Sequence, residues 1–94
     1  MHEEAILRDL VRKVNEVAGA APGSRIRTVR IWIGAFSHLT EAELRSRWPT
    51  AADGTPAVHA RLEVTTSADL ADPRALGVVL LSVDLDGPGP PPKA

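Results

Sequence analysis

The chain has 94 residues, with 11 basic and 12 acidic side chains, a formal net charge of −1 and no cysteine. This length allows one small domain with a single core, and the balanced charge gives no sign of binding to nucleic acid or to an anionic membrane. The lack of cysteine excludes disulfides, thiolate zinc sites and a cysteine nucleophile.

The chain begins with Met1-His2-Glu3, which places an imidazole one peptide bond away from an α-amino group. The amine of Met1, the amide nitrogen of His2 and the ring of His2 can close on one metal ion in adjacent chelate rings. Such a near-planar set of nitrogens suits Ni(II) or Cu(II) and does not suit Mg(II) or Ca(II). The alternative is a solvated histidine ahead of a helix, and this segment alone does not separate the two.

Residues 4–18 are predicted to form a helix, because apolar residues recur along them at three- and four-residue steps. The apolar stripe consists of Ile6, Leu7, Leu10, Val11, Val14, Val17 and Ala18. On the opposite face, Glu4 with Arg8 and Asp9 with Lys13 have the spacing of stabilising ion pairs. The helix is therefore expected to pack through one face only.

Residues 25–33 are predicted to form a strand, because Val29, Ile31 and Ile33 alternate with polar side chains and with Trp32. If the three aliphatic residues face the core, Trp32 faces outward. An outward tryptophan is either a contact surface for a partner or a ring covered by a neighbouring side chain, and both interpretations stay open.

A second, short helix is predicted to start after Thr40, because Thr40 and Glu43 have the spacing of a capping box. In that motif the hydroxyl and the carboxylate each satisfy a free backbone N–H group. Pro49 is expected to stop or kink this helix at Trp48, since proline cannot donate a helical hydrogen bond.

Two more strands are predicted, at residues 58–66 and 78–85, joined by a polar loop or helical turn at residues 67–77. The apolar alternation runs through Val58, Ala60, Leu62 and Val64 in the first strand, and through Val79, Leu81, Val83 and Leu85 in the second. The expected fold is α+β, a single small domain with two helices packed on one face of a three-stranded sheet.

The domain is expected to cover residues 1–86, and residues 87–94 read as a flexible tail rich in proline and glycine. No stretch approaches the ~20 apolar residues that span a bilayer. The acidic N-terminus lacks the basic-then-apolar order of a signal peptide. A cytoplasmic location without membrane attachment is therefore expected.

Four segments of the chain are informative when they are taken together. The first is Met1-His2-Glu3 leading directly into an amphipathic helix, and the second is Val29-Arg30-Ile31-Trp32-Ile33-Gly34-Ala35-Phe36-Ser37. The third is Gly54-Thr55 followed by Ala60-Arg61-Leu62-Glu63-Val64, and the fourth runs over residues 77–86. In this order the segments resemble the HypA/HybF nickel chaperones of [NiFe]-hydrogenase maturation, and the resemblance covers nearly the whole chain outside the tail.

The chain departs from the family at one place. The family carries a zinc module of two Cys-x-x-Cys pairs between its second and third strands, where this chain has only residues 67–77 and no cysteine. The resemblance therefore implies the nickel-binding half of the family without the zinc half. We expect no tightly bound zinc, and any regulation linked to zinc is in doubt.

The resemblance also implies a metal site at the N-terminus. Its ligands would be Met1, through the amine, and His2, through the amide nitrogen and the imidazole. Glu3 would add its backbone nitrogen, or its carboxylate as a group that orients the ligands. The alternative is a chain that kept the fold and lost the metal role.

The other polar candidates carry weaker predictions. His38, in a loop, is either an extra ligand or a solvated residue, and His59 is placed on the polar face of a strand as a surface residue rather than a ligand. Asp84 and Asp86 alternate on one strand face, where solvation is favoured over metal binding. Ser37 next to His38 does not supply the geometry of a nucleophile and a base, so no enzyme activity is expected.

Two functions follow from the resemblance. The first is a nickel metallochaperone that takes Ni(II) at Met1 and His2 and passes it to a hydrogenase large subunit or a related client, with a maturation GTPase as a further partner. The second is a metal-free interaction module that docks on a hydrogenase subunit or an assembly partner. The missing cysteines favour the second, and the retained Met1-His2-Glu3 favours the first.

Overall fold

The computed structural model describes residues 2–21 and 23–86, and the side chains within these ranges from residue 4 onward. The elements in chain order are α1 (His2–Gly19), β1 (Arg25–Ile33), α2 (Glu41–Ala51), a short 3-10 helix (Pro56–His59), β2 (Arg61–Thr66) and β3 (Val78–Asp86). Two helices and one three-stranded mixed sheet confirm the predicted α+β fold. The predicted tail at residues 87–94 lies outside the described part of the chain.

The sheet has the strand order β2-β1-β3, so β1 is its central strand. β1 runs parallel to β2 and antiparallel to β3. Because two parallel strands need a connection that carries the chain back to the same end of the sheet, α2 and the 3-10 helix occupy the crossover from β1 to β2. The loop from β2 to β3 must then pass over the end of β1.

The core lies between the two helices and one face of the sheet. β1 contributes Val29, Ile31 and Ile33, which are fully or almost fully buried, as the alternation predicts. From the helices and the connections, the buried core residues are Leu7, Leu10, Val11, Val14, Ala18, Leu39, Leu44, Trp48, Ala52 and Ala57. Burial of these aliphatic side chains is the main stabilising term of the fold.

Of the two effects predicted for Pro49, the stop at Trp48 is wrong. α2 continues to Ala51, with Pro49 exposed inside it. The Trp48 ring is buried and its Nε1–H donates to the carbonyl oxygen of Ala57 at 2.9 Å, while the Trp48 carbonyl accepts from the amide of Ala52 at 2.8 Å. These contacts hold the last turn closed although Pro49 cannot donate.

The predicted strand at residues 58–66 is shorter than expected, because its first part is a 3-10 turn. The Thr55 hydroxyl accepts from the amide of Ala57 at 3.2 Å, and Pro56 occupies the first helical position. Val58 still packs against the core, but through this turn rather than through the sheet. β2 itself begins only at Arg61.

The predicted alternation in the last strand is wrong in its first half. The pairing of β1 with β3 passes from Arg30–Ser82 to Ile31–Leu80 and leaves Leu81 without a partner, which is a β-bulge. The bulge reverses the faces of the strand, so that Val78 and Leu80 pack on the core while Leu81 is 52% exposed. Val83 and Leu85 face the core as predicted.

Residues 67–77 cross the end of β1 and are held to it by backbone hydrogen bonds. The amide of Ser67 donates to Ile33 at 2.9 Å, that of Gly34 to Gly77 at 2.9 Å, and that of Phe36 to Ala75 at 2.7 Å. The segment is a series of turns, in agreement with the predicted polar connection. It therefore closes this end of the sheet as an ordered crossing.

Candidate functional site

The predicted metal site lies largely outside the described residues. Met1 falls outside them, and so do the side chains of His2 and Glu3. What the structure does give is the start of α1 at His2. Because the first four N–H groups of an α-helix have no acceptor within the helix, the amides of His2 and Glu3 are not used by the helical hydrogen-bond pattern.

The electrostatics of a helix start bear on a nickel site in two opposite ways. The partial positive charge at the N-terminus of α1 disfavours a bound cation, and it favours loss of the proton from a nearby amide. The carboxylate of Glu4, which is exposed in the first turn, offsets the positive end of the helix. An anionic amide and an acidic first turn are compatible with a divalent cation here.

The fold places the start of α1 at a definite end of the sheet. α1 has 18 residues and a length of about 27 Å, close to the ~30 Å of the nine-residue β1. Since a short connection joins α1 to β1 and the two pack together, α1 begins at the end of the sheet where β1 finishes. The loop that carries His38 follows β1 at that same end.

His38 itself is exposed in this loop. Its neighbour Ser37 is not an available nucleophile, because the hydroxyl donates to the carbonyl of Leu39 at 3.0 Å and accepts from the Leu39 amide at 3.1 Å. Leu39 is fully buried, so these two bonds fix the loop on the core. The serine therefore shapes the loop.

The remaining sequence candidates lie apart from this end. His59 is exposed at the end of the 3-10 helix and not on a strand face, which corrects its predicted position. Asp86 pairs with Arg25 at the opposite end of β1, where the sheet begins. Within residues 4–21 and 23–86, no three histidine or acidic side chains come together as a metal site.

Asp84 belongs to an ion network on the sheet face away from the helices. The Arg30 guanidinium donates to Asp84 Oδ2 at 2.6 Å and to Glu63 Oε1 at 2.9 Å, so that one side chain links all three strands. The hydrogen bond to Asp84, with the charges of both carboxylates, raises the pKa of Arg30. Asp84 therefore forms an ion pair with Arg30.

Trp32 is half-buried on the same sheet face. The Arg74 guanidinium lies 4.6 Å from the centroid of its ring, a cation–π arrangement. Of the two interpretations left open by the sequence, the structure shows the covered ring. Arg74 comes from the crossing segment at residues 67–77, so the stack also holds that segment against the sheet.

No helix within residues 2–21 and 23–86 combines the length and the hydrophobicity that a transmembrane span requires.

Comparison with known proteins gives the class of protein to which the chain is similar. A family model described as "Hydrogenase/urease nickel incorporation, metallochaperone, hypA" matches residues 1–72, which is more than half of the chain. The match begins at residue 1 and runs through α1, β1, α2 and β2 into the crossing segment. The family that it describes incorporates nickel as a metallochaperone.

A curated relative agrees with this class. The chain is 33% identical over 64 residues to the hydrogenase maturation factor HypA of Methanopyrus kandleri, an alignment that covers 68% of the chain and 45% of the relative. The chain belongs to the HypA family of nickel-incorporation metallochaperones. It spans less than half the length of the curated relative that it matches.

Proposed function

We propose that this chain is a nickel-binding metallochaperone or accessory factor that delivers Ni(II) during [NiFe]-hydrogenase maturation. The observation that carries the proposal is a family match that starts at residue 1 together with an α1 that begins at His2. The amine of Met1, the amide nitrogen of His2 and its imidazole would hold the ion, with Glu3 as a further ligand or an orienting carboxylate.

The proposed mechanism is ligand exchange at the N-terminal site. Nitrogen donors in a near-planar set stabilise Ni(II), and an open position at a chain terminus lets a client's ligands enter before the chaperone's leave. Binding requires a deprotonated amine and a neutral imidazole, so nickel affinity should fall below about pH 6.5, the ordinary pKa of histidine.

The proposed client is a hydrogenase large subunit or a related nickel enzyme, with a maturation GTPase as a further partner. What supports this is the family's link to hydrogenase maturation. The chain has no cysteine, so it would act without a thiolate zinc module of its own. The short crossing segment at residues 67–77 connects β2 to β3 and contains no histidine.

The second candidate function is a metal-free docking module for the same machinery. The absence of every cysteine favours it, because a chain that lost one metal role can keep the fold for protein contacts alone. The two functions differ in whether the chain itself binds nickel and transfers it to the client.

A transfer experiment distinguishes them. Untagged protein loaded with one equivalent of nickel is mixed with metal-free hydrogenase large subunit, and the nickel content of the subunit is followed after separation. The chaperone proposal predicts that the subunit takes up nickel faster from the loaded protein than from the same concentration of nickel supplied with a chelator. The His2→Ala variant should not accelerate this uptake. Equal acceleration by the wild type and His2→Ala would refute nickel carriage and favour the docking module.

A further inference from the structure

A groove opens between α1 and α2, close to the start of α1. Its volume is about 490 Å³, within the range of pockets that take a drug-sized ligand or a few side chains of a partner. The described residues that line it are Glu4, Leu7, Arg8, Ser46, Arg47, Thr50 and Ala51. Leu7 is buried, so the groove has an aliphatic floor between polar walls.

Hydrogen-bond donors dominate these walls. Arg8 stands on the α1 side, Arg47 on the α2 side, and the hydroxyls of Ser46 and Thr50 lie one helical turn apart next to Arg47. Glu4 is the one carboxylate among the described lining residues. Among the described lining residues, two positive charges and two hydroxyls thus stand against a single negative charge.

The two arginines differ from the other cations of these helices. Arg12 and Lys13 pair with Asp9, and Arg45 pairs with Glu41 at 2.9 Å. Arg8 does not form the predicted pair with Glu4, and no described carboxylate lies within ion-pair distance of Arg8 or Arg47.

We propose that this groove docks an acidic segment of a protein partner, with carboxylate side chains placed between Arg8 and Arg47. Guanidinium groups bind carboxylates through paired, charge-assisted hydrogen bonds, and the hydroxyls satisfy the remaining oxygen lone pairs. The aliphatic floor favours a peptide that alternates acidic and apolar residues over a small anion. Docking here would hold the partner beside the first turn of α1. That this position helps nickel transfer rests on the proposed function.

The test is an NMR titration of the untagged, nickel-free chain with a short peptide of glutamate and leucine. Amide shifts should concentrate at residues 4–8 and 46–51 and weaken with salt. Arg8→Gln and Arg47→Gln should each raise the Kd about three- to fivefold. Arg27→Gln, which removes one exposed arginine from β1, is the matched control and should change the Kd less than about twofold.

Three results would overturn the docking proposal: equal shifts with a glutamine-for-glutamate peptide, equal weakening by Arg27→Gln, or displacement of the peptide by equimolar inorganic phosphate. The last would mean a small-anion site instead. A parallel titration separates this proposal from nickel binding. Arg8→Gln should take up nickel like the wild type, and His2→Ala should bind the peptide like the wild type.

Discussion

Gly34 sits where β1 meets the crossing segment, and its missing side chain is a requirement of the packing. A Cβ atom there would lie 2.4 Å from the carbonyl oxygen of Ala75 and 2.6 Å from that of Arg74, both of them backbone atoms. Gly34 also donates to Gly77, so the two backbones cannot separate without breaking a hydrogen bond. Any other residue at this position would therefore force backbone atoms to shift.

Gly34→Ala is expected to lower the free energy of unfolding by about 1–3 kcal/mol, the usual cost of forcing extra volume into a packed site. Urea denaturation followed by circular dichroism measures it. The control is Gly19→Ala at the end of α1, where a Cβ meets nothing within 4 Å and the change should be neutral or slightly stabilising. Equal midpoints for the two variants would contradict the packing argument.

Trp32 and Arg74 show which contacts of a single residue can be predicted from the sequence. Alternation along β1 correctly predicted that Trp32 faces away from the core, because the strand period depends only on neighbouring residues. Its partner could not be predicted, since Arg74 reaches the ring only after the crossing segment has folded over the end of β1. The same limit applies to Arg8 and Arg47, which face one groove from two different helices.

The capping box at the start of α2 could be predicted from the sequence because it is a local motif. The Thr40 hydroxyl accepts from the Glu43 amide at 3.1 Å, and the Glu43 carboxylate accepts from the Thr40 amide at 3.1 Å. Both bonds join residues three positions apart, so no long-range packing was needed to predict them.

Thr40→Ala should destabilise the protein by about 1 kcal/mol through loss of the cap. Thr40→Ser keeps a hydroxyl that can accept from the Glu43 amide and should stay close to the wild type. Thermal unfolding of the three proteins at the same pH measures the difference. A midpoint for Thr40→Ser as low as that for Thr40→Ala would show that the threonine methyl group, and not the cap, supplies the stability.

The crossing segment contains its own pH-dependent element. The amide of Arg74 donates to Asp72 Oδ1 at 2.7 Å, and this bond, followed by those from the Arg74 side chain, lowers the pKa of Asp72. A carboxyl group whose pKa is lower in the folded state stabilises the fold above its unfolded pKa of about 3.9. That stabilisation is lost as the pH falls through the lower folded-state pKa.

Asp72→Asn should therefore reduce the thermal midpoint at pH 7, and the gap to the wild type should narrow once the pH drops well below 4. The cause is that the wild-type carboxylate becomes protonated and loses its advantage over a neutral amide. Melting curves across pH 2.5–7 provide the measurement. A gap that stays constant over this range would show that ionisation of Asp72 makes no contribution.

The elements differ in how much of them the sequence predicts. β1 was predicted with its observed bounds, since its alternation is regular from residue 29 to residue 33 and Gly34 ends it. The β-bulge at Leu81 was missed, because a bulge is a property of the pairing between two strands. The 3-10 turn did have a local signal, Thr55 as a cap followed by Pro56, which the apolar alternation of residues 58–64 outweighed.

For the chain as a whole, the domain boundary at residue 86 remains a prediction. β3 ends at Asp86, and residues 87–94 contain glycine, proline, lysine and alanine but no large apolar side chain. Deleting residues 88–94 should therefore leave the thermal midpoint almost unchanged. A cooperative loss of folding in the truncated protein would place the end of the domain beyond residue 86.

The α+β architecture and the family could be predicted from the sequence, because short local motifs appear in the order of the folded elements. The metal site was predicted from its donor chemistry together with the family resemblance, and its ligands at Met1, His2 and Glu3 remain the proposal to be tested. The docking groove could not be predicted, since it exists only once α1 and α2 pack side by side.

The most direct test of nickel binding at Met1 and His2 is a calorimetric titration of Ni(II) into untagged protein, with the visible absorption spectrum recorded at the end point. We expect about one nickel ion per chain with a square-planar spectrum. Binding should be lost in His2→Ala and retained in His59→Ala, which removes an exposed histidine elsewhere. Nickel uptake by His2→Ala equal to that of the wild type would contradict the N-terminal site.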